Sequence, residues 1–298
     1  MSSEKSNPSE LASLPEETAA QVSADETLAQ QLANHEQAMY EQNQLTIQSI
    51  EEDIRNTQAL VGKKLTLQEG LINEYVPETS PEYYHKAIDL SHTYSHIRKI
   101  RGDGNCFYRA VLTTILERVL EHRDELEPLI TLVKSWRARL LAFGFPELTT
   151  GDFCDAMETL LESIRDNLKN ESLLLDDLNQ ESIANYYVAF LRLIASGFLN
   201  ENEDTYAGFI EGGRTLKEYC REEIEPMWKD CDHMSILALV NALATSLRIV
   251  YMDRSQAPDG GWHHDILADN VTGEPKLILL FRPGHYDLLY RKSAPGST

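Results

Sequence analysis

Gly102-Asp103-Gly104-Asn105-Cys106-Phe107-Tyr108-Arg109-Ala110 places a thiol where a glycine-containing turn runs into a helix. The two glycines let the backbone take positive φ and bring its N–H groups close to a bound molecule. Asn105 suits an N-cap. Val111, Leu112, Ile115, Leu116, Val119 and Leu120 follow at the i, i+3/i+4 recurrence of a buried helix face. Cys106 then lies in the first helical turn, where the positive end of the helix dipole favours a thiolate. The chemistry is nucleophilic attack through sulfur; the plain alternative is an inert packing cysteine.

A thiolate needs an imidazole to carry its proton, and the imidazole needs an acceptor to fix its tautomer. Of the nine histidines, His285 is best placed, in Lys276-Leu277-Ile278-Leu279-Leu280-Phe281-Arg282-Pro283-Gly284-His285-Tyr286-Asp287-Leu288-Leu289. This segment predicts an apolar strand, a Pro-Gly turn and a second strand. Residues i and i+2 of a strand share a face, so His285 and Asp287 project together about 7 Å apart along the backbone, while Tyr286 points to a core.

The elements that must position these groups follow from periodicity. Tyr83–Tyr94 predicts a helix and His96–Ile100 a short strand before the cysteine helix. Helices are expected at Leu129–Phe143, Asp152–Leu168, Ser182–Ser196 and Thr215–Glu223, with Tyr186, Tyr187, Phe190 and Leu191 as core residues. Asp232 caps a nearly all-apolar helix from Met234 to Leu247. Strand Arg248–Asp253, a Pro-Asp-Gly-Gly turn at 258–261, and strands at 276–282 and 285–291 close the chain. Trp262, His263, His264 and Asp265 are read as loop. Helices first and strands mostly last make an α+β domain.

Composition narrows the setting. The four cysteines, at 106, 154, 220 and 231, form no CxxC pair and no zinc spacing; Cys231, Asp232 and His233 resemble metal ligands only superficially, so no metal or cofactor is expected. No signal peptide, bilayer-length apolar run or lipidation motif is evident, which points to a reducing compartment, the cytoplasm with the nucleus as a second location. A net charge of −21 argues against nucleic acid and favours a basic partner. A monomer is expected.

The cysteine block resembles the active-site signature of the ovarian-tumour (OTU) class of deubiquitinating cysteine proteases. Tyr94–Arg101, Phe209–Thr215, Glu225-Pro226-Met227, Tyr251–Arg254 and Arg282–Asp287 resemble its otubain branch, in family order from about Leu60 to Arg291. The resemblance implies a small central sheet sandwiched by helices. It makes Cys106 the nucleophile on the carbonyl joining a ubiquitin C-terminus to lysine, His285 the base and then the acid, and Asp287 its orienter. Asp103 holds the loop, and backbone N–H groups of Asp103, Gly104, Asn105 and Cys106 supply an oxyanion hole. It also implies ubiquitin and polyubiquitin chains, favouring lysine-48 linkage, and ubiquitin-conjugating enzymes as partners.

Four segments are expected: a disordered acidic tail at 1–34, a helical arm at 35–64, a catalytic domain at 65–292 and a flexible end at 293–298. In the arm, Met39, Leu45 or Ile47, Ile50 and Ile54 form a thin apolar stripe, marginal as an isolated helix. By resemblance the stripe receives the ubiquitin that carries the modified lysine; the alternative is packing on its own domain. Gly212-Gly213 is a tight turn, near which the family places a ubiquitin-facing loop, and Trp262 is a further contact candidate. Three functions stay open: a ubiquitin isopeptidase, a non-catalytic binder and inhibitor of conjugating enzymes, and a different thiol acyl-transfer enzyme such as a glutaminase.

Overall fold

The computed structural model describes residues 16–255, 262–269 and 271–292. The expected turn at 258–261, the start of the acidic tail and the end at 293–298 lie outside the described residues. The chain divides into two compact units between Asn56 and Thr57.

The described residues of the first unit form one helix, α1 (Glu16–Thr57), whose last residue falls in the second unit. This corrects the expected tail and arm: residues 16–34 are helical, and the helix stops before 64. The cause is composition, since 16–57 contains neither glycine nor proline and is rich in the strong helix formers Ala, Glu and Gln. At about 100° per residue, Met39, Ile47, Ile50 and Ile54 fall on one side and Leu45 on the other. Met39, Tyr40, Ile47 and Ile50 are exposed and Ile54 is half-buried.

The second unit opens with β1 (Val61–Thr66), α2 (Leu67–Gly70), α3 (Pro81–Thr93) and β2 (Tyr94–Ile100). Then come α4 (Cys106–Glu121), α5 (Leu126–Ala142), α6 (Glu147–Arg165), α7 (Glu171–Asn179), α8 (Glu181–Glu201), the short α9 (Glu203–Tyr206) and α10 (Leu216–Tyr219), and α11 (His233–Ala242). Strands β3 (Ser246–Tyr251), β4 (Trp262–Leu267), β5 (Leu277–Arg282) and β6 (His285–Arg291) follow. The six strands form one sheet in the order β1-β2-β6-β5-β3-β4. All neighbours are antiparallel except β3 and β5, which run parallel.

Alternation along the strands builds two cores. Leu277, Leu279, Tyr286 and Leu288 join the large helical core, with Phe107, Leu116, Trp136, Leu161, Phe190 and Leu239. Ile278, Leu280, Leu289, Val250 and Ile97 pack on the other face with Leu71, Ala87 and Leu90. Burial on both faces explains why β5 reads as an unbroken apolar run. Helix α8 is long and apolar enough to cross a membrane by length and composition, and 61% of that stretch is buried inside the protein.

Several expected elements shift. Strand β1 was not anticipated because its Lys63 and Lys64 are exposed on an edge strand, as edge strands favour. Residues 262–265 are strand β4 rather than loop; their polar outward face hides the pattern. The expected helix at 215–223 is α10 followed by a single π-turn at Cys220–Ile224. The apolar helix ends at Ala242, and Ala244 turns the chain at φ 47° into β3. Tyr187, Phe190 and Leu191 are buried as expected, whereas Tyr186 is exposed.

The helix carrying Cys106 is pinned to the sheet by Arg98, which is 2% exposed. Its guanidinium donates to Glu117 on α4 (2.6 Å), to the Gly62 carbonyl (2.8 Å) and to the Tyr290 hydroxyl (2.9 Å). The Tyr290 hydroxyl donates in turn to Glu117 (2.8 Å). One side chain thus ties β1, β2, β6 and α4 together.

Candidate active site

Cys106 is the first residue of α4 and is 4% exposed. As the sequence implies, its backbone N–H sits among the unpaired donors of a helix start. His285 and Asp287 are delivered by the β5–β6 hairpin, whose Pro283-Gly284 turn uses φ 74° at Gly284. Tyr286 points the opposite way and meets Phe107 edge-on at 5.4 Å between centroids. The alternation of β6 therefore separates chemistry from packing on consecutive residues.

Asp287 is fully buried. Its Oδ1 accepts from His285 Nε2 (3.0 Å) and from the Ile100 N–H (2.9 Å), and its Oδ2 accepts from Arg282 Nη2 (2.6 Å). Lys99 Nζ lies 3.6 Å from Oδ2, and Glu74 holds both Lys99 and Arg282 in place. Burial pushes the Asp287 carboxyl up, but the His285 hydrogen bond and the charges of Arg282, His285 and Lys99 outweigh it and bring its pKa down to about 2. An ionised carboxylate only accepts, so His285 Nε2 carries a proton and Nδ1 remains for the thiol. Burial pulls His285 down, yet its bonds to Asp287 and Cys106 and their negative charges raise its pKa to about 9.

The Asp103 side chain bonds within the turn and to the cysteine helix. Its Oδ1 accepts from the Asn105 N–H (3.0 Å) and its Oδ2 from Arg109 Nη2 (2.8 Å). Arg109 also reaches Asn185 on α8 (3.2 Å). The expected set of four oxyanion donors is therefore corrected. The Asn105 N–H is spent on Asp103, and the Asp103 N–H donates to the Arg101 carbonyl (3.2 Å). Among the described residues the amides of Gly104 and Cys106 have no such partner.

Asn105 occupies the N-cap position without capping. Its Oδ1 instead accepts from Arg192 Nη2 (2.7 Å) and Nε (3.2 Å) and from the Trp228 N–H (3.2 Å). Gly104 is required where it stands: at φ 73°, an added Cβ would lie 2.3 Å from the Trp228 carbonyl oxygen. Sequence reasoning missed Arg192, Asn185 and Trp228, whose partners are far away in the chain. Asn185 and Arg192 lie seven residues apart, two turns of one helix face, which is the only signal the sequence held.

Other nominated residues fall elsewhere. Cys154 and Cys220 are fully buried, and burial raises both thiols. Cys231 is raised well above the ordinary thiol range, by burial first and then by the charge of Cys106, so it stays protonated beside the nucleophile. Asp232 caps α11, accepting from the Ser235 N–H (2.8 Å). Gly212 and Gly213 form the expected turn at φ 77° and 72°. Trp262 is 54% exposed at the start of β4.

A model of the Peptidase C65 Otubain family matches residues 53–291. A ubiquitin thioesterase otubain-like protein of Caenorhabditis elegans is 47% identical over 224 residues, 75% of this chain and 79% of that protein. The human ubiquitin thioesterase OTUB1 is 40% identical over 242 residues, 81% of this chain and 87% of its own length. Among solved structures, a ceOTUB1 complex with ubiquitin aldehyde and UBC13~Ub superposes with a TM-score of 0.79 at 44% identity, covering 83% of this chain and 99% of that one.

Proposed function

The chain belongs to the otubain family of cysteine peptidases, and from that premise we propose that it cleaves lysine-48-linked ubiquitin chains with the help of its N-terminal helix. It is a cysteine-type ubiquitin hydrolase. The observation that carries the mechanism is the commitment of His285 Nε2 to Asp287, which turns Nδ1 to Cys106. The Cys106 thiolate adds to the carbonyl at the ubiquitin C-terminus. The negative oxygen is met by the Gly104 and Cys106 amides, and His285 gives its proton to the departing lysine amine. Water, deprotonated by His285, then hydrolyses the thioester. A narrow channel walled by the backbone of 102–106 would admit glycine at the substrate's last two positions, since glycine lacks a β-carbon. Covalent capture of Cys106 by an electrophilic ubiquitin C-terminal probe tests the assignment; a folded protein that forms no adduct refutes it.

The pH profile follows from His285. Its pKa lies above the ordinary value of about 6.5, so the protonated imidazole persists through neutral pH and is lost as pH rises through about 9. Turnover of a C-terminal ubiquitin ester is expected to hold from pH 7 to 8 and fall above about 9. The stability His285 adds is complete below about 6.5 and disappears over the same rise. An alkaline limb centred near 6.5 would contradict this ion pair. Asp287, lowered to about 2, stays charged throughout that range.

The stripe of Met39, Ile47, Ile50 and Ile54 supports a role for α1 in holding the second ubiquitin; the Gly212-Gly213 turn and Trp262 are separate candidates for contact with ubiquitin. Linkage choice is then a positioning effect. Removing residues 1–56 is expected to cut diubiquitin cleavage tenfold or more and ester hydrolysis less than twofold. The cut must stop at Asn56, because the carbonyls of Gln58 and Leu60 bind Arg101 beside the catalytic turn. Equal losses on both substrates would free α1 of this role.

A second reading coexists with the first: the protein binds ubiquitin-conjugating enzymes and restrains them without cleavage. A related chain in complex with UBC13~Ub supports it. The acidic balance of the chain suits a basic partner surface. We place the protein in the cytoplasm and nucleus, where a free catalytic thiol survives.

A further inference from the structure

The side chain of Arg192 is fully buried and, among the described residues, bonds to no carboxylate. Burial lowers the pKa of its guanidinium. Its N–H groups go to neutral oxygens: Asn105 Oδ1 twice, and the carbonyls of Gly104 (2.9 Å), Ile224 (3.0 Å) and Lys229 (2.6 Å). It also lies over the Tyr108 ring at 4.2 Å. Burying a cation without an ion pair is a poor route to stability. Its acceptors, however, sit on both walls of the catalytic turn.

We infer that Arg192 is a positioning residue that locks the oxyanion turn in its productive orientation. In a trans peptide the C=O and the following N–H point in opposite directions. Arg192 draws the Gly104 carbonyl inward, while Asp103 draws the Asn105 N–H the other way. The Gly104–Asn105 peptide plane is thereby held at both ends. A lock is needed because glycine is the residue most free to rotate, and position 104 must be glycine. With that plane turned over, the Gly104 carbonyl would point at the Asp103 carboxylate and be repelled by it, and the flanking Gly104 and Cys106 amides would swing out of line. The same guanidinium fixes the opposite wall through Ile224 and Lys229, where Trp228 sits at φ 66° with its N–H on Asn105. Both walls of the turn depend on one buried cation.

The inference rests on the ubiquitin-hydrolase reading, and wild-type turnover of a ubiquitin ester, measured alongside, tests that reading separately. Arg192→Lys keeps the charge and loses the planar fork. Its kcat on the ester is expected to fall roughly 100-fold, the scale of an impaired oxyanion hole, with KM within about threefold. Alkylation of Cys106 by iodoacetamide needs the thiolate but no oxyanion hole, and should stay within about twofold of wild type. A kcat within about threefold of wild type, or alkylation falling in parallel with hydrolysis, would overturn the inference. Should Arg192→Lys lose its cooperative melting transition, Asn105→Ala removes two of the guanidinium's bonds and leaves its three carbonyls. It should lose about tenfold in hydrolysis with alkylation retained; unimpaired hydrolysis would overturn the inference equally.

Discussion

Cys106→Ala is expected to lower turnover of ubiquitin esters and diubiquitin by on the order of 10⁴-fold or more, because no other group in the site can form the thioester. Cys231 is no substitute, since burial and the neighbouring charge keep it a neutral thiol. The fold should survive: Cys106 is already packed at the helix start, and alanine is a good helix former. Losing the sulfur also removes one of the groups that raise His285, whose pKa should fall from about 9. Ubiquitin binding, followed by calorimetry, should persist, as should restraint of a charged conjugating enzyme. Turnover within tenfold of wild type would end the nucleophile assignment. Loss of restraint together with turnover would end the non-catalytic reading and leave the first intact.

Asp287→Asn is expected to cost about 10²–10⁴ in kcat, although the side chain is nearly isosteric. Oδ1 serves two donors, the Ile100 N–H and His285 Nε2, while Oδ2 serves Arg282. An amide has one oxygen for these two jobs. With the oxygen towards Ile100 and His285, its NH₂ meets Arg282 donor to donor at a spacing of 2.6 Å. With the amide turned round, the NH₂ faces His285 Nε2, forcing the proton onto Nδ1 where the thiol needs an acceptor. Either state removes the buried Asp287 charge and leaves Arg282 only the more exposed Glu74, and breaking a buried pair costs up to about 3–5 kcal/mol. A lowered melting temperature should therefore accompany the lost rate. A variant with wild-type kcat would show that His285 needs no orienting carboxylate.

The catalytic groups were legible because each sits on a short-range pattern. Cys106 follows a Gly-containing turn at a helix start, and His285 and Asp287 sit two apart after a Pro-Gly turn. Both patterns depend only on neighbours in sequence, and the folded protein keeps both. Asn105 departs from its expected capping role for the opposite reason. Its propensity predicts a cap, but Arg192, 87 residues on, competes for the same oxygen and wins with a charged donor. The oxyanion set was overcounted because a loop's N–H groups cannot be assigned until their rival acceptors, here Asp103 and Arg101, are placed. Strands β1 and β4 escaped because edge strands bury little and carry Lys or His outward. The helix over 16–34 is hidden by its polarity, which predicts disorder despite an uninterrupted helix-forming composition.

The position of β6 has a consequence for how the protein comes into being. It lies between β2 and β5, so it is the seam joining β1-β2 to β5-β3-β4, and it pairs with a strand nearly 200 residues earlier in the sequence. Such distant pairing is slow to form. During synthesis the thiol emerges long before the imidazole, and an unfinished polypeptide carries a cysteine with nothing to take its proton. The seam that completes the sheet also arms the enzyme, so a ribosome-bound or prematurely terminated chain is catalytically silent without any inhibitor.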